Sequence, residues 1–164
     1  MNSYYIGIDN GVSGGVAVLD KDCNLSLAGF IPIKKIGDMK TIDLKELGYC
    51  LSQYGAFNNP STIMLEQGQK QPLFGCKGNY ANGYYFGLVE GWMIANNFSY
   101  ELTNPRTWQE VIFKDLRGYK KGKKNDTKSL SLEICQRRFP THNIKDHNIA
   151  DAVCIALYLR SKFI

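Results

Sequence analysis

The chain has 164 residues, 44% hydrophobic and 21% charged, with a formal net charge of +5. That length accommodates one domain with a full core and excludes two ordinary ones, so residues 1–164 read as a single domain of globular composition. No apolar stretch reaches the roughly 18 residues of a membrane span, and the N-terminus lacks the basic-then-apolar pattern of a signal peptide.

Residues 4–8 and 15–19 are β-type runs joined by a glycine-rich turn, and 25–33 continues as a third strand, so the chain opens as an antiparallel meander. In residues 44–54, Leu44, Leu47, Leu51 and Tyr54 have the spacing of one helix face, and Asn59-Pro60 closes the loop that follows. Residues 62–65 form a short buried strand that stops at Glu66, just as the first strand stops at Asp9. A long aromatic helix is expected at 79–97, with Tyr84, Leu88, Trp92 and Ala95 near helical spacing. On another face Gly83, Gly87 and Gly91 recur four apart, which lets a second backbone approach closely. A strand at 99–102 follows, then a helix at 105–116 opened by Pro105, a helix at 129–139 that stops before Pro140, and a buried helix at 148–162. Strands at the front and alternating helices and strands behind give an α/β fold, a sheet of mixed direction with helices on its faces.

The five cysteines, an odd number without a CxxC pair, fit neither a disulfide framework nor a zinc site and point to a reducing cytoplasm. Residues 114–128 (KDLRGYKKGKKNDTK) hold seven basic and two acidic side chains, which equals the whole net charge. Such concentration favours an anionic partner, nucleic acid first of all, and the plain alternative is a solvated loop that aids solubility.

Asp9 and Glu66 each end an apolar strand, where ligands of open α/β sheets bind. A third acid, Asp151, lies on the apolar final helix, where a carboxylate is costly unless paired or metal-bound. His147 lies about 40° from it around that helix and Asn148 about 60° away on the other side. Several oxygens with one imidazole suit Mg²⁺ or Mn²⁺, and two such ions can drive in-line phosphodiester hydrolysis. Taken singly, each residue has an ordinary role: Asp9 forms a turn, and Asp146, His147 or Asn148 opens a helix. The set carries the functional reading.

IGIDNGVSGGVAVLD with Asp9, IMLEQ with Glu66 and DHNIADAVCIALYL with His147 and Asp151 resemble the RuvC-type Holliday-junction resolvases, in particular the phage-encoded branch and the related chloroplast resolvase. ELTNPRTWQ, the basic loop and NDTKSLSLEICQRRFP extend the likeness over nearly the whole chain. The first motif alone also opens sugar-kinase and actin-like ATPases; the three acids in order are more specific. The resemblance implies a ribonuclease H-like fold, mixed sheet flanked by helices on both faces, and a homodimer joined through 79–97. It also implies a catalytic and metal-binding set of Asp9, Glu66, His147 and Asp151, two Mg²⁺ ions with Mn²⁺ as substitute, and paired nicks across a four-way DNA junction. Family members often carry an aspartate three residues before the last acid; Asn148 stands there, so the fourth ligand is His147, with Asn148 and Asp146 as alternatives.

Lys120, Lys121, Lys123, Lys124 and Lys128 are then candidates for DNA phosphates, Lys124 also for the scissile phosphate, and Phe74 for a wedge against unstacked bases. The expected enzyme is a structure-selective endodeoxyribonuclease in the cytoplasm of a bacterium or a phage-infected host. Two alternatives stay open: a ribonuclease H-like RNA-processing nuclease, and a catalytically silent junction binder.

Overall fold

The computed structural model describes residues 4–54, 61–68, 75–120 and 126–163. Its elements, in chain order, are β1 (Tyr4–Ile8), β2 (Gly15–Asp20), β3 (Leu25–Phe30), β4 (Ile33–Ile36), β5 (Met39–Ile42), α1 (Leu44–Gln53), β6 (Ser61–Glu66), α2 (Gly75–Ala95), β7 (Ser99–Thr103), α3 (Pro105–Ile112), α4 (Thr127–Arg138) and α5 (His147–Ser161). Five strands form one sheet in the order β3-β2-β1-β6-β7. The β1, β2 and β3 pairings are antiparallel, whereas β1 with β6 and β6 with β7 are parallel, so the sheet is mixed as expected.

Alternation along the strands sorts the core into two layers. Ile6, Ile8, Val16, Val18, Ile63 and Leu65 point to one face and pack with Leu47 and Leu51 of α1 and Val89 and Met93 of α2. Ala17, Leu19 and Met64 point to the other, where they meet Trp108 of α3, Leu130 and Ile134 of α4, and the buried side of α5. The second layer is unusually thin where α5 crosses β1 and β2. A Cβ on Gly7 would lie 2.2 Å from the carbonyl oxygen of Ala152 and 2.5 Å from the nitrogen of Ala156; one on Gly15 would lie 2.5 Å from the carbonyl oxygen of Asn148. Helix backbone therefore rests on strand backbone with no side chain between them.

Three boundaries differ from the sequence expectation. The strand expected at 25–33 ends at Phe30, because Pro32 brings no N–H to a ladder. The chain then turns into a separate hairpin, β4 with β5, closed by Gly37-Asp38 with Gly37 at φ +59°. Tyr85 Oη donates to the Lys40 carbonyl at 2.9 Å, and the Thr41 and Tyr84 hydroxyls lie 3.4 Å apart, so α2 holds the hairpin. Helix α2 starts at Gly75, and its buried side centres on Val89 and Met93 while Ala95 is exposed. Helix α3 stops at Ile112 rather than at 116, and tight turns carry the chain on through Leu116.

All five cysteines are free thiols. Among the described residues no helix is long and apolar enough to cross a membrane.

The close approach at Gly7 gives a direct check. Gly7→Ala has no side chain to push aside and must lift α5 off the sheet, with an expected loss of roughly 3 kcal/mol or more. Gly29→Ala on β3, where an added Cβ meets nothing within 4 Å, should stay within about 0.5 kcal/mol of wild type. Urea unfolding of the two variants measures the difference, and equal stabilities would refute the backbone contact as the reason for Gly7.

Candidate functional site

The register of the central strands places the first two acids. In the parallel pair β1–β6, Tyr4 faces Ser61 and Ile8 faces Leu65; one step further, the same register sets Asp9 beside Glu66. Neighbouring strands run about 4.8 Å apart, so the two carboxylates emerge side by side. Asp9 stays on the ladder because its N–H donates to the Gly15 carbonyl at 3.0 Å. Alternation aims both acids at the α3–α4–α5 face: Asp9 follows Tyr5 and Gly7, and Glu66 follows Met64.

The third acid arrives from above. Helix α5 sits on Gly7 through Ala152 and Ala156 and on Gly15 through Asn148, and Asp151 lies between these contacts in the sequence. Asp9, Glu66 and Asp151 are thus drawn from β1, β6 and α5 to one end of the sheet, and their mutual electrostatic influence follows. Burial, then the charges of Glu66, Asp151 and Asp146, push the Asp9 carboxyl well above the ordinary carboxylate range. Burial raises Glu66 to about 7, opposed by a hydrogen bond from Trp108 and reinforced by Asp151. Burial raises Asp151 to about 6, opposed by Ser131 and by the charges of His147 and Lys128, and reinforced by Asp146.

Two neutral donors hold these acids. Trp108 Nε1–H donates to Glu66 Oε2 at 2.6 Å. The Ser131 hydroxyl lies in hydrogen-bond contact with Asp151 Oδ1 and 3.0 Å from the Thr127 carbonyl oxygen. Beside Asp9, Asn10 reaches the Asn82 carbonyl through Nδ2 at 3.4 Å, while its buried Oδ1 has no hydrogen-bond partner among the described residues.

His147 is the first residue of α5, one turn before Asp151, and its charge favours the ionised acid. Asp146 is not on the helix. It is the N-cap, accepting from Asn148 N at 2.8 Å, and from there its charge reaches both Asp9 and Asp151. Asn148 gives α5 its contact with Gly15 through its backbone. Lys128, exposed in the first turn of α4, is close enough for its charge to act on Asp151, and Lys120 is exposed at the end of the segment after α3. Phe74, Lys121, Lys123 and Lys124 lie outside the described residues. Trp108, Ser131 and Asn10 are not singled out by the sequence, because contacts spanning 42, 20 and 72 positions leave no local pattern.

Among the described residues, no three His, Cys, Asp or Glu side chains form a ready metal-ligand cluster. The donor set nevertheless fits a hard divalent cation. It is rich in carboxylate oxygen, its members repel one another, and the orphaned Asn10 Oδ1 is an acceptor that the water of a hydrated ion would satisfy.

No protein-family model matches the chain, and no curated protein matches it by sequence. Its structure is similar to that of Thermus thermophilus RuvC in complex with Holliday junction substrate, with a TM-score of 0.62 and 15% identity over 95% of this chain and 91% of that one. A second T. thermophilus RuvC structure gives a TM-score of 0.54 and 13% identity, over 96% and 92% of the two chains. The chain has the ribonuclease H-like fold of RuvC, as the motifs led one to expect.

The raised carboxyls make stability pH-dependent with a definite sign. In the unfolded chain Glu66 titrates near 4.3, in the folded one at about 7, so between those values the folded state binds the extra proton. The contribution of Glu66 to stability without metal therefore declines as pH rises from about 4 to about 7, and its penalty vanishes below about 4. Glu66→Gln removes it and should be more stable than wild type by roughly 3 kcal/mol at pH 8 and equal to it at pH 4. Urea unfolding in EDTA at both pH values checks this; a variant no more stable at pH 8 removes the case for a destabilised Glu66 carboxylate.

Proposed function

We propose that the protein is a divalent-metal-dependent endodeoxyribonuclease that resolves four-way DNA junctions, and other branched forms, by paired symmetric nicks. The observation that carries this reading is the convergence of three mutually repelling carboxylates, Asp9, Glu66 and Asp151, at one end of a RuvC-like sheet. The similar T. thermophilus RuvC was solved with a Holliday junction substrate, which supports branched DNA as the substrate class.

Asp9, Glu66 and Asp151 would hold Mg²⁺, or Mn²⁺ in its place, with His147 as the fourth ligand. Bound in pairs, such ions activate a water and stabilise the leaving 3′-oxygen of an in-line displacement. The chain's own contribution is positional. The β1–β6 register sets two acids side by side, α5 brings the third, and the basic segment offers cations to the DNA backbone. Lys120, Lys121, Lys123, Lys124 and Lys128 would bind phosphates, Lys124 beside the scissile one, and Phe74 would wedge against unstacked bases at the crossover.

Paired nicks need two sites, and α2 offers a surface for a homodimer. A Cβ on Gly83, Gly87 or Gly91 would meet nothing within 4 Å, and Tyr80 and Ile94 beside this stripe are 73% and 58% exposed. Two copies facing each other along it would supply the two sites that paired nicks need. The expected setting is the cytoplasm of a bacterium or of a phage-infected host.

The deciding experiment is cleavage of a labelled four-way junction in Mg²⁺, with linear duplex and an RNA–DNA hybrid as controls. Paired nicks confined to the junction, lost in Asp9→Asn and Glu66→Gln while junction binding persists, are expected. Preferential cutting of the hybrid would move the protein to RNA processing, and tight binding without cutting by wild type would make it a silent junction binder.

Replacing Lys120, Lys121, Lys123 and Lys124 together by Ala should weaken junction binding. The slope of log affinity against log salt should become shallower by about 0.9 for each phosphate that the variant no longer neutralises. A filter-binding salt series measures both, and an unchanged slope would remove the loop from the DNA interface.

A further inference from the structure

We infer that Trp108 and Ser131 are positioning residues for the metal site: each holds one oxygen of a carboxylate, Glu66 or Asp151, and so directs the other oxygen toward the cation. The inference rests on the metal-centre reading above and adds to it the two groups that orient its ligands.

Trp108 is 0% exposed and sits in the α3–α4–α5 layer of the core, its ring edge-on to Phe113 with centroids 5.4 Å apart and planes at 74°. A buried indole has one donor, which must find an acceptor. Here it takes Glu66 Oε2, 42 positions away and at a different element's end, at 2.6 Å. The ring is packed and its N–H direction is therefore set by the core, so the carboxylate is set by it in turn. The backbone beneath is fixed as well, since Gln67 N–H donates to the Thr103 carbonyl at 2.7 Å, just past the end of β6.

Ser131 repeats the arrangement from α4. It is 0% exposed and touches Asp151 Oδ1 from the helix packed beside α5. Both donors are neutral. An Arg or Lys in either place would orient the acid equally well but would discharge it and compete with a metal; an N–H and an O–H fix direction while leaving the negative charge in place. Two different elements, α3 and α4, supply the same device to two different acids, and packing alone does not require that.

The test compares Mn²⁺ affinity by calorimetry for wild type, Trp108→Phe, Ser131→Ala, Glu66→Gln and the double variant Trp108→Phe/Glu66→Gln. The apparent Mg²⁺ requirement for junction cleavage is measured alongside. Trp108→Phe keeps an aromatic ring at this core position and loses the donor together with part of the indole's buried volume. Loss of a group that orients a metal ligand costs about 10–100-fold in affinity, and that loss is expected for each single donor variant, with junction binding retained. The signature of positioning is non-additivity: in the Glu66→Gln background, Trp108→Phe should add no further loss, whereas a structural role would add its full effect. Should Trp108→Phe fail to give a wild-type circular dichroism spectrum, Ser131→Ala, a smaller change, carries the test alone. Wild-type Mn²⁺ affinity in both donor variants overturns the inference and leaves the metal site standing. Absence of Mn²⁺ binding by wild type overturns both.

Discussion

The seating of α5 directly on β1 and β2 is the constraint on which the rest of the structure depends. Because Gly7 and Gly15 carry no side chain, the helix backbone lies against the sheet, and the position of Asp151 relative to Asp9 is set by main-chain contact. Side chains between two elements can adjust to one another; two backbones in contact cannot. The same seating buries Ala152, Val153, Ile155, Ala156 and Leu159, so the contact that aligns the acids also closes one half of the core. The geometry of the acids and the stability of the fold are here one arrangement rather than two that must be reconciled.

That arrangement places repelling carboxylates together at the expense of stability. Each of the three acids is raised chiefly by burial, and each feels at least one other acid. Functional sites commonly carry such destabilisation, which a bound ligand relieves. In this chain it is contained rather than relieved from within: Trp108 and Ser131 supply hydrogen bonds without charge, and Asp146, tied to the N-terminus of α5, adds to the negative field. The positive influences on Asp151 come from His147 and Lys128, at the two flanking helix starts.

Features written in local patterns are legible in the sequence. Strand alternation, a carboxylate where an apolar run stops, and the apolar spacing of α1 each depend on residues close in the chain, and each recovers its element or residue. The hairpin β4–β5 is not legible, since its four-residue strands IKKI and MKTI mix apolar and polar residues on each face and their charge resembles an exposed loop. The spacing of α2 recovers Leu88 and Trp92 as core-facing but misses the fully buried Val89 and Met93 and includes the exposed Ala95, because aromatics and glycines surround the helix and leave little amphipathic contrast to read. Asp146 is legible as a helix opener, and its extended backbone at φ −94° and ψ 132° makes it the cap of α5. Trp108 and Ser131 belong to a third class: their role lies in what they touch across the fold, which a single sequence does not encode locally.

The three acids stand at positions 9, 66 and 151 of 164, and the parallel β1–β6 pairing already joins residues 57 apart. Such pairings form only after much chain entropy has been lost, and the helix that completes both core and site is the last element of the described chain. Synthesis from the N-terminus therefore exposes two carboxylates long before the third exists. A nascent or truncated chain lacks the complete constellation, and proteolytic removal of the final helix would erase the acid cluster and open the core in a single cut. The acid cluster thus exists only once α5 has been made and seated.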